Sequence, residues 1–81
     1  LIFAEFGDLR GKDQGSAEVQ QQVKKLQSFI TQHYYKCSNE ILAELGKMYV
    51  SDPKFTESID NYGGVGTAEF TAETIKIYCK K

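Results

Sequence analysis

The stretch HYYKCSNEILAELGKMYVSDPKFTESIDNY, residues 33–62, contains two helix starts and a dense set of aromatic side chains. Ser38 is an N-cap acceptor placed just ahead of an apolar run, and Asp52-Pro53 sets another acceptor before a proline at the first helical position, where a missing N–H does no harm. The first helix is expected to carry Ile41, Leu42, Leu45, Met48 and Tyr49 on one face, away from Glu40, Glu44 and Lys47. Gly46 sits inside it at a cost of roughly 1 kcal/mol relative to alanine. A glycine at the edge of an apolar face implies that a helix or a ligand approaches the backbone there. The second helix is short, with Phe55, Ile59 and Tyr62 on one side, and Gly63-Gly64 ends it.

Toward the N-terminus, Ser16 caps a long helix reaching about Tyr34, and Glu18 lies in its first turn, where a carboxylate meets the positive end of the helix dipole. Val19, Val23, Leu26, Phe29, Ile30, His33 and Tyr34 form its apolar stripe, so His33 is expected to face the core or a cleft. Residues 10–15, RGKDQG, read as a polar loop, and residues 1–9 as the end of a helix that begins before this chain. Toward the C-terminus, a helix from about Gly66 to Tyr78 confines Glu69, Glu73, Lys76 and Lys80 to one sector. It should be the most deeply packed element, with Phe70, Thr74, Ile75, Ile77 and Cys79 on its wide apolar or neutral surface. No segment alternates with period two. The expected architecture is therefore all-α: four main helices over residues 16–81, preceded by a helical stub and loop over residues 1–15.

Eighty-one residues with 41% hydrophobic content make one small domain, which buries roughly 60–65% of the surface its unfolded chain exposes. With no Trp and one Met, five Tyr and five Phe must supply much of the core. The net charge is −1 and no basic run exceeds Lys24-Lys25 or Lys80-Lys81, which argues against direct nucleic-acid binding. The opening run Leu1-Ile2-Phe3-Ala4-x-Phe6 is too short to span a bilayer and lacks the basic region and cleavage site of a signal peptide. The reading is a segment of a longer cytoplasmic protein, with Cys37 and Cys79 as reduced thiols.

Catalytic chemistry has no foothold in this sequence. There is one His, no Ser or Cys in a nucleophile-elbow setting, and no carboxylate pair in an apolar frame, so the expectation is no enzyme and no cofactor. His33 and Cys37 are four apart, but a structural zinc site needs four ligands, and a histidine hydrogen-bonded at the core edge is the plainer reading. Gly63-Gly64-Val65-Gly66-Thr67 lacks the lysine and the preceding strand of a phosphate loop. The aromatics Phe29, Tyr34, Tyr35, Tyr49, Phe55, Tyr62 and Phe70 divide between core and surface. Adjacent Tyr34 and Tyr35 cannot both face inward, so one of them belongs at a cleft or an interface. Cys37, beside the Ser38 cap, lies where a helix N-terminus lowers a thiol pKa, and it is expected to alkylate faster than Cys79.

Tyr34-Tyr35-x-Cys37, then Leu45-x-x-Met48-Tyr49-x-x-Asp52-x-x-Phe55 and Asp60, resemble the TipAS family, the antibiotic-recognition domain at the C-terminus of MerR-type bacterial regulators. That resemblance implies a globin-like helical domain with a surface cleft that binds a hydrophobic or thiopeptide-type antibiotic. It also implies a homodimeric full-length regulator that touches DNA only through an N-terminal domain missing here, with no membrane association. Under it the ligand contacts would be His33, Tyr34, Cys37, Gly46, Tyr49, Phe55, Tyr62 and Phe70. Residues 1–15 become a candidate lid bearing Phe3 and Phe6, and Cys37 a candidate for the cysteine that in this family adds to a dehydroalanine of the drug. Thr67 and Thr74 depart from the family pattern, and a threonine hydroxyl needs a partner once buried. Two other readings stay open: a helical protein-interaction or dimer-stabilising module, and a thiol redox sensor using Cys37 and Cys79. The first is distinguished by whether the Tyr34/Tyr49/Phe55 region surrounds a cavity or is filled.

Overall fold

Three of the helix starts are made by the side chains named above. In the computed structural model, which describes residues 2–80, the Ser16 hydroxyl accepts from the Val19 N–H at 3.4 Å and opens α2 (Ala17–His33). Ser38 accepts from Ile41 at 3.3 Å to open α3 (Asn39–Ser51), and the Asp52 carboxylate accepts from Lys54 at 3.0 Å to open α4 (Pro53–Gly63). With α1 (Ile2–Asp8) and α5 (Thr67–Cys79), the described residues are all-α and contain no strand. Leu1 of the expected stub and Lys81 at the end of the expected domain lie outside the described residues.

The start of α5 is solved differently. Its N-cap, Gly66, has a left-handed backbone (φ +95°) and no side chain to offer. Asp60 of α4 supplies the acceptor instead, taking the Ala68 N–H at 2.9 Å. A carboxylate from one helix thus caps the next and fixes the angle between them. Arg10, from the α1–α2 loop, holds the same corner by donating to the Gly7 carbonyl at 3.2 Å and to the Val65 carbonyl.

Helix α5 is the most deeply packed element, with Thr67, Ala68, Phe70, Thr71, Thr74 and Ile75 all buried. It runs antiparallel to α3: Ile75 seats on Gly46, where an added Cβ would stand 3.2 Å from the Ile75 Cγ2, and the Cys79 thiol reaches the Asn39 carbonyl at 3.2 Å. The close approach to Gly46 is therefore made by a helix. It also turns α3. The buried seam is Leu42, Gly46 and Tyr49, with Leu45 half-buried, whereas Ile41 and Met48 face solvent. The expected face was correct at Leu42, Leu45 and Tyr49 and too wide at Ile41 and Met48, because backbone contact at Gly46 draws the seam toward it.

Both threonine departures find partners. Thr67 donates to the Gly64 carbonyl at 2.6 Å and Thr74 to the Thr71 carbonyl at 2.7 Å, each within one helical turn. Helix α1 docks chiefly on α4, with Gly7 against Gly63, and places Phe6 fully inside the core. Glu5 ties it to α2 by accepting from Lys25 at 2.6 Å and Gln22 at 3.2 Å. The Lys25 ammonium holds the Glu5 carboxyl below the usual carboxylate range.

A candidate ligand cleft walled by aromatics

Four helices and one loop converge on an apolar cleft of about 470 Å³. Helix α1 contributes Phe3, α2 contributes Leu26, Phe29 and Ile30, and α3 contributes Leu45 and Tyr49. Phe55, Ser58, Ile59 and Tyr62 come from α4, and Tyr34 and Tyr35 from the α2–α3 connection. Buried Leu26, Ile30, Tyr49 and Ile59 form the floor, while Tyr34, Tyr35, Phe55 and Tyr62 stand exposed at the rim. A larger recess of about 550 Å³ lies over α2, but it is bounded only by Glu18, Gln21, Gln22, Lys24, Lys25 and Ser28 on one polar helix face and encloses nothing. The aromatic cleft is the better binding candidate, because it combines concavity with apolar walls and a few hydroxyls.

Tyr49 is the centre of the aromatic set. Phe3 meets it edge-on at 5.7 Å between ring centroids, and Phe55 flanks it at 6.1 Å. Its carbonyl accepts from the Thr56 hydroxyl at 2.6 Å, which locks the α3–α4 corner. Burial pushes its phenol up to about 12, with smaller contributions from Cys37 and Tyr35. The hydroxyl therefore stays protonated throughout the neutral range.

The loop bearing Tyr34 and Tyr35 is positioned from behind by an amide. Gln27 of α2 donates to the Cys37 carbonyl at 3.0 Å and to the Asn39 side chain at 2.8 Å, and it accepts from the Tyr78 hydroxyl at 2.9 Å. The Thr31 hydroxyl accepts from the Cys37 N–H at 3.1 Å. With the backbone between α2 and α3 held this way, both tyrosines line the cleft, where one had been expected.

Of the eight candidate contacts, Tyr34, Tyr49, Phe55 and Tyr62 meet at this cleft and the other four lie elsewhere. His33 is exposed in the last turn of α2 and stacks on Phe29 at 4.6 Å, so the expected inward orientation is corrected. The α2 stripe narrows at its C-terminal end because nothing packs over that turn. Gly46 lines a separate groove with Val50, Ala72 and Ile75, and Phe70 lines a shallow recess beside Arg10. Phe29 and Tyr35, named above only as aromatics, join the lining with Leu26, Ile30, Leu45, Ser58 and Ile59. Phe3 also lines it, whereas Phe6 is core. Patterning marks Leu26, Ile30 and Ile59 as core positions and cannot reveal that their outer edges border a cavity.

Cys37 is not held open to solvent as a nucleophile at a helix start would be. Its side chain is only 5% exposed, it donates to the Ser38 carbonyl at 3.8 Å, and burial raises its pKa, with the Cys79 charge adding to the effect. Desolvation is the larger cause of that rise. Cys79 is half-buried and is also raised by burial. The exposures favour the opposite order of reactivity: with a small neutral alkylating agent, intact-mass and peptide analysis should find Cys79 modified several-fold faster than Cys37. Faster labelling at Cys37 would mean that the loop opens readily. Among the described residues no group of three or more His, Cys, Asp or Glu could hold a metal ion, and no helix is long and apolar enough to cross a membrane.

Comparison with solved structures finds no match. A curated relative, the HTH-type transcriptional activator mta of Bacillus subtilis (strain 168), is 43% identical over 63 residues. The alignment covers 78% of this chain and 24% of that activator, so the chain spans about a quarter of its relative's length. The sequence model of the TipAS antibiotic-recognition domain matches residues 1–78, nearly the whole chain, and takes in α1 to α4 and most of α5. The aromatic cleft and the five helices that frame or support it therefore belong to a member of the TipAS antibiotic-recognition domain family.

Proposed function

We propose that this chain is the effector-binding domain of a MerR-type transcriptional activator, and that its aromatic cleft takes a hydrophobic, polycyclic or cyclic-peptide antibiotic. The observation that carries this reading is an apolar cleft of about 470 Å³ among Tyr34, Tyr49, Phe55 and Tyr62, on a chain of the TipAS family. An interaction module that binds no small molecule would be expected to fill that space. Because the walls come from four helices, a ligand touching several of them favours one arrangement of those helices over another. It can shift the regulator only by that difference in affinity. DNA contact and homodimerisation fall to parts of the cytoplasmic regulator outside this domain. Cys37, being buried and outside the lining, gives no covalent lock to this site, so retention rests on apolar and aromatic contacts.

The test is a thermal-shift comparison using a thiopeptide and a neutral polycyclic compound. At about 100 times its Kd, a ligand binding only the native state adds roughly 2.7 kcal/mol, which for a domain of this size raises Tm by on the order of 10 °C. Phe55→Ala and Tyr62→Ala, at exposed rim positions that leave the core intact, should remove most of the shift. A shift that survives both substitutions, or none with any such ligand, would sink the proposal.

A further inference from the structure

Tyr49 is the one polar side chain on the floor of the cleft. It is only 6% exposed, and no described residue pairs with its hydroxyl. Beyond the helix ladder, its carbonyl accepts from the Thr56 hydroxyl. The hydroxyl oxygen is not among the atoms shut off from solvent, so a ligand that fills the cleft would close that opening and leave the donor unpaired unless it brought an acceptor. The ring cannot turn away easily, since Phe3 abuts it edge-on and Phe55 flanks it. Tyr34, at 72% exposed, and Tyr62 at 57% are far more open to water.

The lining also contains no Asp, Glu, Lys, Arg or His. A carboxylate drawn to the floor would lose hydration and find no cation, and a cation would find no carboxylate, only ring faces. Resting on the cleft reading above, we infer that the Tyr49 hydroxyl is the donor that orients the ligand, and that the site selects uncharged, flat polycyclic compounds with a carbonyl or comparable acceptor on the ring edge. Apolar contact with Leu26, Ile30 and Ile59 supplies affinity, and the single deep donor supplies orientation. A ligand without an acceptor leaves the hydroxyl unpaired and loses selectivity at that point.

Two dyes of nearly the same tetracyclic shape separate these claims. Nile red is neutral and ends in a carbonyl; Nile blue is a cation with a nitrogen donor in that place. The wild-type chain should bind Nile red with enhanced emission and about tenfold more tightly than Nile blue, since only the former pairs with a donor and keeps no charge from water. Tyr49→Phe, which keeps the ring and its packing, should weaken Nile red roughly three- to tenfold. It should also move the bound dye's emission to shorter wavelength, because a hydrogen bond to the carbonyl is lost, and leave Nile blue unchanged. Circular dichroism and a melt of each variant establish that the fold is kept. Unchanged Nile red affinity and emission in Tyr49→Phe, or Nile blue bound as tightly as Nile red through ring faces, would overturn the inference and leave the cleft reading in place. Absence of Nile red binding in the wild type, or binding that Phe55→Ala leaves untouched, would overturn the cleft reading and this inference together.

Discussion

Phe6→Ala should cost the domain roughly 3–5 kcal/mol, the usual toll for emptying a fully buried phenylalanine site. An 81-residue domain has only about 4–12 kcal/mol in total at ordinary per-residue stability, so the variant should be partly or wholly unfolded at moderate temperature. The loss is large because Phe6 is 0% exposed and shares the core with Val19 and Val23 of α2 and Ile75 of α5, two separate helices that cannot collapse into the space together. Urea melts measure it. A loss under 1 kcal/mol with an undiminished m-value would mean that α1 adds little to the core. A smaller m-value would show that α1 detaches by itself, taking Phe3 out of the cleft.

Gly7→Ala should destabilise by roughly 2–3 kcal/mol even though alanine is the better helix former by about 1 kcal/mol. An added Cβ would stand 2.3 Å from the Gly63 carbonyl oxygen and 2.6 Å from its Cα, and backbone at a helix–helix contact cannot yield as a flexible side chain can. Overlap therefore outweighs propensity, and α1 must lift from α4. Gly15→Ala is the control: its nearest neighbours would be an Asp13 carboxylate oxygen at 3.6 Å and an Ile77 methyl at 4.0 Å, so its effect should stay within about 0.5 kcal/mol. Equal small effects at both glycines, read in parallel melts, would show that the α1–α4 contact is looser than the structure has it. Because α1 carries Phe3 into the lining, Gly7→Ala should also weaken ligand binding at a position that touches no ligand.

The helices were legible from the sequence because their determinants are local. Ser16, Ser38 and Asp52-Pro53 act within one turn, and the Val19, Val23, Leu26 and Ile30 stripe follows from helical period alone. The family was legible too, from the Tyr-x-Cys and Leu-x-x-Met-Tyr spacing, and the match over residues 1–78 bears it out. Half of the expected ligand contacts assemble at the cleft, since aromatics beside helix starts were a fair signal of surface rings. The other four lie away from this cleft. His33 lies on the right stripe but past the point where another helix covers it, and Gly46 marks a close approach without saying whether a helix or a ligand makes it.

Tertiary structure alone decided the rest. That Asp60 caps α5, that Gln27 holds the loop of Tyr34 and Tyr35, and that Gly7 seats on Gly63 are contacts across 8, 10 and 56 positions of sequence respectively. No periodicity encodes such pairings, because they depend on where helices cross. The setting of Cys37 is of the same kind: a helix start nearby favours a thiolate and burial opposes it, and how deeply the thiol is buried follows from packing alone. The cleft itself is of this kind. Sequence specifies which side chains are apolar, but whether they meet each other or leave a space between them is set by the angles at which α1, α2, α3 and α4 come together, and those angles are a property of the whole packed domain.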